Sequence, residues 1–168
     1  ELGHQFGGNH SFSHIVEGTG VNVEPGSGST IMGYAGITAQ DVQPHSDDYF
    51  VYASVKQIQD NMVGKTCPTR TNLTHGAPVV NAGSNYTIPK STPFVLTGTA
   101  TDSNNDVLSY CWEQNDAATS QTGANSAAII TKTGGPNWRS YSPVATPVRY
   151  FPRIQSVIAN SNTTAGSE

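Results

Sequence analysis

The first ten residues carry side chains whose spacing suits metal chemistry, and they read ELGHQFGGNH. His4 and His10 are imidazoles that can ligate a metal ion, and Glu1 is a carboxylate that precedes both of them. Neutral imidazole is a common Zn²⁺ ligand, and a carboxylate near a metal-bound water can take its proton. The combination points to hydrolysis by a metal-activated water molecule.

The residues between the two histidines must reverse the direction of the chain. A zinc-binding helix places two histidines four positions apart, with the acidic residue directly after the first. On that pattern Glu1 and His4 lie near the end of such a helix, and an earlier histidine is expected before Glu1. Gly7 suits the turn that ends the helix and returns His10 to the metal, since glycine readily adopts a positive φ.

A second feature lies downstream in GSGSTIMGYAGI, where Met32 occupies a glycine-rich turn. Together with the histidine spacing, this turn resembles the Met-turn of the metzincin zinc proteases. The stretch HQFGGNH is most similar to the reprolysin-like, or adamalysin-like, branch, and especially to its bacterial secreted members. Animal members usually carry Asp after the third histidine and Cys two positions before the Met. This chain has Ser11 and Thr30 at those places.

The resemblance implies a set of roles for these residues. One zinc ion would be held by His4, His10 and a histidine that precedes Glu1. Glu1 would be the general base, and Met32 would lie beneath the site. Tyr34 would stabilise the oxyanion of the transition state, the alternative being that it is only a packed aromatic side chain. Substrates would be peptides or proteins.

On this interpretation the chain begins inside the zinc-binding motif. It would contain the lower subdomain of a metzincin catalytic domain without the first histidine and the upper subdomain. We therefore expect a parent protein that is a secreted or cell-surface zinc endopeptidase of bacterial origin. The chain alone is expected to be inactive, because two ligands hold zinc without fixed geometry. The alternative function is a non-catalytic extracellular binding or adhesion module.

The composition argues against several other classes of protein. Charged residues make up 12% of the 168 residues, the formal net charge is −4, and Lys and Arg form no run. A nucleic-acid partner is therefore not expected. No apolar run approaches the roughly 18 residues that a membrane span needs.

The chain divides into parts of different composition and pattern. The predicted fold class is α+β. Residues 1–64 contain four of the five histidines and both methionines, and they are assigned to the metzincin lower subdomain. The polar, turn-rich residues 65–76 predict a linker. Residues 77–168, with short apolar runs and turn clusters, predict a β domain.

One helix is predicted in the first part, over SDDYFVYASVKQIQDNM. Ser46 or Asp47 can cap its N-terminus, and acidic residues suit its first turn. Apolar side chains follow helical spacing at Phe50 or Val51, Val55, Ile58 and Met62. In metzincins a C-terminal helix follows the Met-turn, so we expect this segment to occupy that place and its apolar side chains to lie in the core.

The second part predicts paired strands. Apolar side chains alternate at Phe94, Leu96, Gly98 and Ala100, and then at Leu108, Tyr110 and Trp112. A tryptophan on the third strand is typical of immunoglobulin-like sandwiches. The stretch from AGSNYTIP through TGTATDSNNDVLSYCWEQ also resembles a PKD-type domain. We therefore predict a PKD/Ig-like sandwich, either complete or incomplete at its end, with VRYFPRIQSVIAN as a candidate late strand.

The two cysteines allow a disulfide. If Trp112 faces the core, Cys111 faces outward, and a Cys67–Cys111 bond would fasten the linker to the outer face of the sheet. Such a bond would stabilise the fold by closing a long loop. Two separate thiols are the alternative.

Other polar groups fit metal sites less well. Asp102, Asn104 and Asp106 place oxygens at alternate positions and could cradle Ca²⁺, although a plain hairpin turn is favoured. His14, His45 and His75 match no motif position, so surface or packing roles are expected for them.

Overall fold

The structure, a computed structural model, describes residues 1–160. Its helices are α1 (Leu2–Gln5), α2 (Tyr52–Val63) and α3 (Ile154–Ile158), with one 3₁₀ turn at Gly123–Ser126. Its strands are β1 (Val79–Asn81), β2 (Phe94–Thr97), β3 (Thr99–Thr101) and β4 (Val148–Phe151). This mixture of helices and small sheets agrees with the predicted α+β class. Over residues 1–160, none of the helices has the length and apolar character to cross a membrane.

Helix α2 begins later than the sequence predicts. The predicted cap at Ser46 or Asp47 is wrong, because the helix starts at Tyr52 and Val51 is still extended, with ψ of 157°. Asp47 instead donates its backbone N–H to the Ser29 carbonyl at 2.7 Å. That bond, together with the one from the Ile31 N–H to the Tyr49 carbonyl at 3.1 Å, holds the segment before α2 against the preceding turn.

The apolar core of the N-terminal part is small. Val51 is 2% exposed, as predicted, and forms a cluster with Val23 and Ala53. Val55 is 39% exposed, so its predicted place in the core is wrong. Ala117, from the second part of the chain, packs against the same cluster. With so few buried apolar side chains, buried hydrogen bonds have a large share in fixing the arrangement.

The sheets do not form a sandwich within residues 1–160. Strand β1 pairs with β3 and β2 pairs with β4, giving two separate antiparallel pairs. The predicted alternation is confirmed across β2 and β3, because Phe94, Leu96, Gly98 and Ala100 are each more buried than their neighbours. The next predicted strand is not formed.

The segment that carries Trp112 shows why that strand is missing. It forms one isolated bridge, between Tyr110 and Val144. Farther along, side chains replace strand partners: the Arg149 guanidinium donates to the Trp112 carbonyl. The Trp112 indole N–H donates to the Pro147 carbonyl at 2.9 Å. The alternating burial at these positions therefore reflects side-chain contacts and not a third sheet strand.

The late segment VRYF is a strand, as the sequence suggests. It forms β4, in which Phe151 lies directly opposite Phe94 of β2. The two rings stack with centroids 4.8 Å apart, and Trp138 meets Phe151 edge-on at 5.4 Å. Such aromatic pairs stabilise a two-stranded sheet beyond their area of contact.

The predicted disulfide is absent, because Cys67 and Cys111 are both free. Cys111 is exposed beside the half-buried Trp112, as the alternation predicts. Its sulfur, however, lies 3.3 Å from Ser140 Oγ and 3.2 Å from the Tyr141 carbonyl oxygen. The thiol of Cys111 therefore contacts residues 140–141 and not Cys67.

Residues 113–140 lie against residues 11–52, which the sequence did not indicate. Three backbone hydrogen bonds join them: Ala118 to the Asn22 carbonyl (2.9 Å), Gly26 to the Ser126 carbonyl (3.0 Å) and Gly123 to the His14 carbonyl (2.8 Å). Side chains add to these contacts, since the Tyr49 hydroxyl donates to Ser140 Oγ at 2.8 Å. The two parts of the chain are therefore in contact beyond the predicted linker.

The Asn22 side chain offers a test of the hydrogen bonding within the N-terminal part. Its side chain is buried, donates to the Phe12 carbonyl at 2.7 Å and accepts the Glu17 backbone N–H at 3.2 Å. Asn22→Ala leaves both groups without this partner, so we expect it to lower the free energy of unfolding by about 1–3 kcal/mol. Urea unfolding measures the change, and Asn125→Ala, at an exposed position, is the control. Equal free energies of unfolding in the two variants would contradict a stabilising role of the Asn22 side chain.

Candidate metal centre

The two histidines of the N-terminal motif converge. Their Nε2 atoms lie 3.1 Å apart. His4 Nδ1 lies 2.8 Å from the Gly8 carbonyl oxygen, and His10 Nδ1 lies 2.9 Å from a Glu17 carboxylate oxygen. Both oxygens are acceptors, so each Nδ1 is placed to donate a hydrogen bond, and in a neutral ring that donates there the Nε2 atom has a lone pair. Two such lone pairs at this distance would suit one shared cation.

The separation fits two ligands of one tetrahedral zinc ion. With Zn–N bonds of about 2.0–2.1 Å, two nitrogens at a tetrahedral angle lie about 3.3 Å apart. Gly8 and Glu17 are bound to the other ring nitrogens, as outer partners of metal-bound histidines commonly are. These partners fix the tautomer and the ring orientation of His4 and His10 before any metal binds.

The turn between the histidines depends on glycine. Gly7 has φ of 95°, the left-handed conformation that the sequence predicts at the end of α1. The Gly8 backbone N–H then donates back to the Gly3 carbonyl at 2.9 Å. A side chain at Gly7 would also collide with Asn61, which donates to the Phe6 carbonyl at 2.7 Å. Helix α2 therefore supports the turn that brings His10 back to His4.

Met32 lies beneath this turn. It is 3% exposed, and a β-carbon built on Gly3 would come within 2.5 Å of its sulfur. The Met32 carbonyl accepts the backbone N–H of Ser11, the residue after His10, at 3.1 Å. The thioether thus contacts the helix that carries His4, while the backbone of the same residue holds the segment that carries His10.

Tyr34 lies beside the histidine pair. Its ring meets the His10 ring edge-on, with centroids 4.6 Å apart, and lies at the same distance from Phe12. It is 38% exposed. The position next to His10 agrees with a residue near the metal, and the contact with Phe12 agrees with the packing alternative.

Glu24 is a buried carboxylate that the sequence analysis did not identify. It is 2% exposed and accepts hydrogen bonds from Ser11, Ser29 and Thr30. Burial raises the pKa of Glu24, and these hydrogen bonds oppose that shift. The only signal in the sequence was an acidic residue directly before the run PGSGST, which is rich in hydroxyl and backbone donors. Glu17, the partner of His10, carried no comparable signal.

Glu1, the predicted general base, lies at the surface. It is exposed and precedes α1, where its side chain makes no capping hydrogen bond. Across residues 1–160, no cluster of three or more His, Cys, Asp or Glu side chains is arranged to hold a metal. The structure therefore brings together two of the predicted zinc ligands and Met32, while the predicted base lies at the edge of the motif.

The remaining polar groups have contacts of their own. His14 packs on Phe12 with centroids 4.4 Å apart, and burial lowers its pKa. His75 Nδ1 lies 2.6 Å from an Asp106 carboxylate oxygen, and His45 is exposed. Asp102 accepts the backbone N–H groups of Asn104 and Asp106 at 2.8 and 3.1 Å, which is the bonding of a plain turn.

Comparison with known families agrees with this geometry. Residues 1–65 match the family model described as metallo-peptidase family M12B, reprolysin-like. The matched range contains both histidines and the Met32 turn and ends just after α2. No curated protein and no solved structure matches the chain. Residues 1–65 are thus similar to a family of metallopeptidases, and the resemblance inferred from the motif is confirmed at that level.

The contact between His10 and Glu17 leads to a prediction about metal affinity. Glu17→Gln keeps the shape of the side chain and removes the charge that holds His10 Nδ1. Outer partners of this kind typically contribute 10–100-fold to metal affinity, so Co²⁺ should bind the full chain at least tenfold more weakly. Absorbance titration with Co²⁺ measures this. Asp60→Asn, an exposed carboxylate on α2, is the control, and an unchanged affinity in Glu17→Gln would contradict the role.

Proposed function

We propose that residues 1–65 form part of the active site of a metzincin-type zinc endopeptidase that is secreted and hydrolyses peptides or proteins. The observation that supports this most is the 3.1 Å approach of the His4 and His10 Nε2 atoms above the buried Met32. The family match covers these residues. It favours an enzyme over a non-catalytic binding module.

Each residue has a role in this proposal. Zinc, when bound, lowers the pKa of a water molecule and polarises the substrate carbonyl. His4 and His10 would hold the metal through Nε2, with Nδ1 donating to Gly8 and Glu17. The Glu1 carboxylate takes a proton from the attacking water and passes it to the leaving amine. Tyr34 donates a hydrogen bond to the carbonyl oxygen as that oxygen gains negative charge.

The chain by itself holds an incomplete site in this proposal. A hydrolytic zinc site has three protein ligands and one open position, and no third side chain joins the histidine pair among residues 1–160. The remaining ligand is therefore proposed to come from outside those residues. A Zn²⁺ ion held by two histidines lacks the fixed geometry that positions a water molecule for attack.

Zinc binding tests the site directly. The full chain is expected to bind one Zn²⁺, and His4→Ala or His10→Ala is expected to weaken binding at least tenfold, because each removes one of two nitrogen ligands. Isothermal titration calorimetry gives the stoichiometry and affinity. His45→Ala, at an exposed position, should bind as the unmodified chain does. Binding that survives both ligand substitutions would contradict the proposed metal centre.

Peptidase activity tests the incompleteness of the site. The 168-residue chain with added Zn²⁺ is expected to show no cleavage of fluorogenic peptides above a buffer control. Cleavage that depends on zinc and disappears in His10→Ala would show that two histidines suffice and that a third ligand is not required.

A further inference from the structure

We propose that Glu24 is a positioning residue that sets the approach of His4 to His10. Its single carboxylate ties the segment after His10 to the turn that carries Met32. The inference rests on the proposed function in one respect, namely that the histidine pair is a metal centre. The positioning of the two rings by Glu24 does not itself require a bound metal.

The carboxylate is saturated with donors. One oxygen accepts the hydroxyls of Ser11 and Thr30, the latter at 2.7 Å. The other accepts the backbone N–H groups of Ser29 and Thr30 at 2.9 and 3.2 Å, and the Ser29 hydroxyl lies 3.5 Å from it. Ser11, Ser29 and Thr30 are each 0% exposed. No solvent reaches these donors, so Glu24 is their partner in place of water.

These contacts lead to His10 by a short path. Ser11 follows His10 directly, and its hydroxyl is held by the Glu24 carboxylate. The Ser11 carbonyl accepts the Glu24 backbone N–H at 2.9 Å, and its own N–H donates to the Met32 carbonyl at 3.1 Å. The backbone next to His10 is therefore fixed on both sides and by its side chain.

The path to His4 runs through Met32. Thr30 is bound to Glu24 through both its hydroxyl and its backbone N–H. The Thr30 carbonyl accepts the Gly33 N–H at 2.9 Å, which closes the tight turn around Met32. The Met32 side chain then lies under Gly3, next to His4. A shift of the Glu24 carboxylate would therefore displace Ser11 and Met32. These residues support the rings of His10 and His4.

The sequence departures found in the motif agree with this assignment. Ser11 and Thr30 are the two positions at which the chain differs from the usual pattern of animal members of the resembled branch. Both hydroxyls bind the same oxygen of Glu24. Ser11 and Thr30 therefore belong to one hydrogen-bonded group around one carboxylate.

Substitutions can separate positioning from stability. Glu24→Gln keeps the shape but places an N–H₂ group among donors, and Thr30→Val removes one hydroxyl with little change in size. Thr30→Ser restores that hydroxyl. Glu113→Gln is the matched control, because Glu113 also accepts hydrogen bonds, from Tyr52 N–H at 2.7 Å and Ser140 Oγ at 3.0 Å, away from the histidine pair.

The measurements are made on the full chain. Long-range ¹H–¹⁵N NMR without metal reports which nitrogen of each histidine carries the proton, and Co²⁺ titration reports affinity. Glu24→Gln and Thr30→Val are expected to change the His4 and His10 ring signals and to weaken Co²⁺ binding at least tenfold, by analogy with other outer-shell substitutions. Thr30→Ser and Glu113→Gln should match the unmodified chain in both, even where Glu113→Gln lowers the melting temperature.

The outcomes distinguish the two proposals. Folded Glu24→Gln and Thr30→Val chains with unchanged ring signals and Co²⁺ affinity would overturn the positioning role and leave the metal centre intact. Altered ring signals in a chain whose unmodified form binds no metal would support the positioning role and overturn the proposed function. If Glu24→Gln does not fold, the contrast between Thr30→Val and Thr30→Ser decides. Ring signals that change equally in Glu113→Gln would reduce Glu24 to a general stabilising residue.

Discussion

A buried carboxylate that accepts every donor around it is the constraint on which the N-terminal part of this protein depends. Burying an ionised group is costly unless hydrogen bonds replace its water. Glu24 meets that condition with hydroxyl and backbone donors from Ser11, Ser29 and Thr30. The apolar cluster nearby is small. The hydrogen bonds of Glu24 therefore help to hold the backbone in one conformation, as a larger hydrophobic core would. The turn below the histidines is thereby held in one arrangement.

This arrangement orients the rings of His4 and His10. Two imidazoles on a short helix and a returning loop would ordinarily sample several orientations. Here Gly8 and Glu17 bind the outer nitrogens, and Met32 supports the helix from below. The loop that carries His10 also contacts residues 113–140 through Asn22 and His14. Segments distant in sequence therefore help to orient the ring nitrogens.

The sequence predicted the parts of this site that depend on local geometry. The sharp turn at Gly7 between His4 and His10 follows from the positive φ that glycine adopts readily, and the structure shows both this φ and the approach of the two rings. Alternating burial from Phe94 to Ala100 was predictable for the same reason, because strand periodicity is local.

Contacts that join distant segments were not predictable in this way. Glu24, Glu17 and Asn22 act through hydrogen bonds that obey no period in the sequence. The predicted cap of α2 is wrong because the backbone at Asp47 and Tyr49 is hydrogen-bonded to the preceding turn, and a local helix-start signal does not reveal such contacts. Cys111 is free in the structure and contacts residues 140–141. These neighbours are set by packing, and its place in an alternating pattern does not reveal them.

The central claim is that the Nε2 atoms of His4 and His10 face one metal ion. X-ray absorption at the zinc edge of the zinc-loaded full chain tests it most directly, because this method reads the atoms bound to the metal. The account predicts a first shell that contains two imidazole nitrogens at about 2.0–2.1 Å, with one of them lost in His10→Ala. A first shell of oxygen atoms alone, identical in the two proteins, would contradict it.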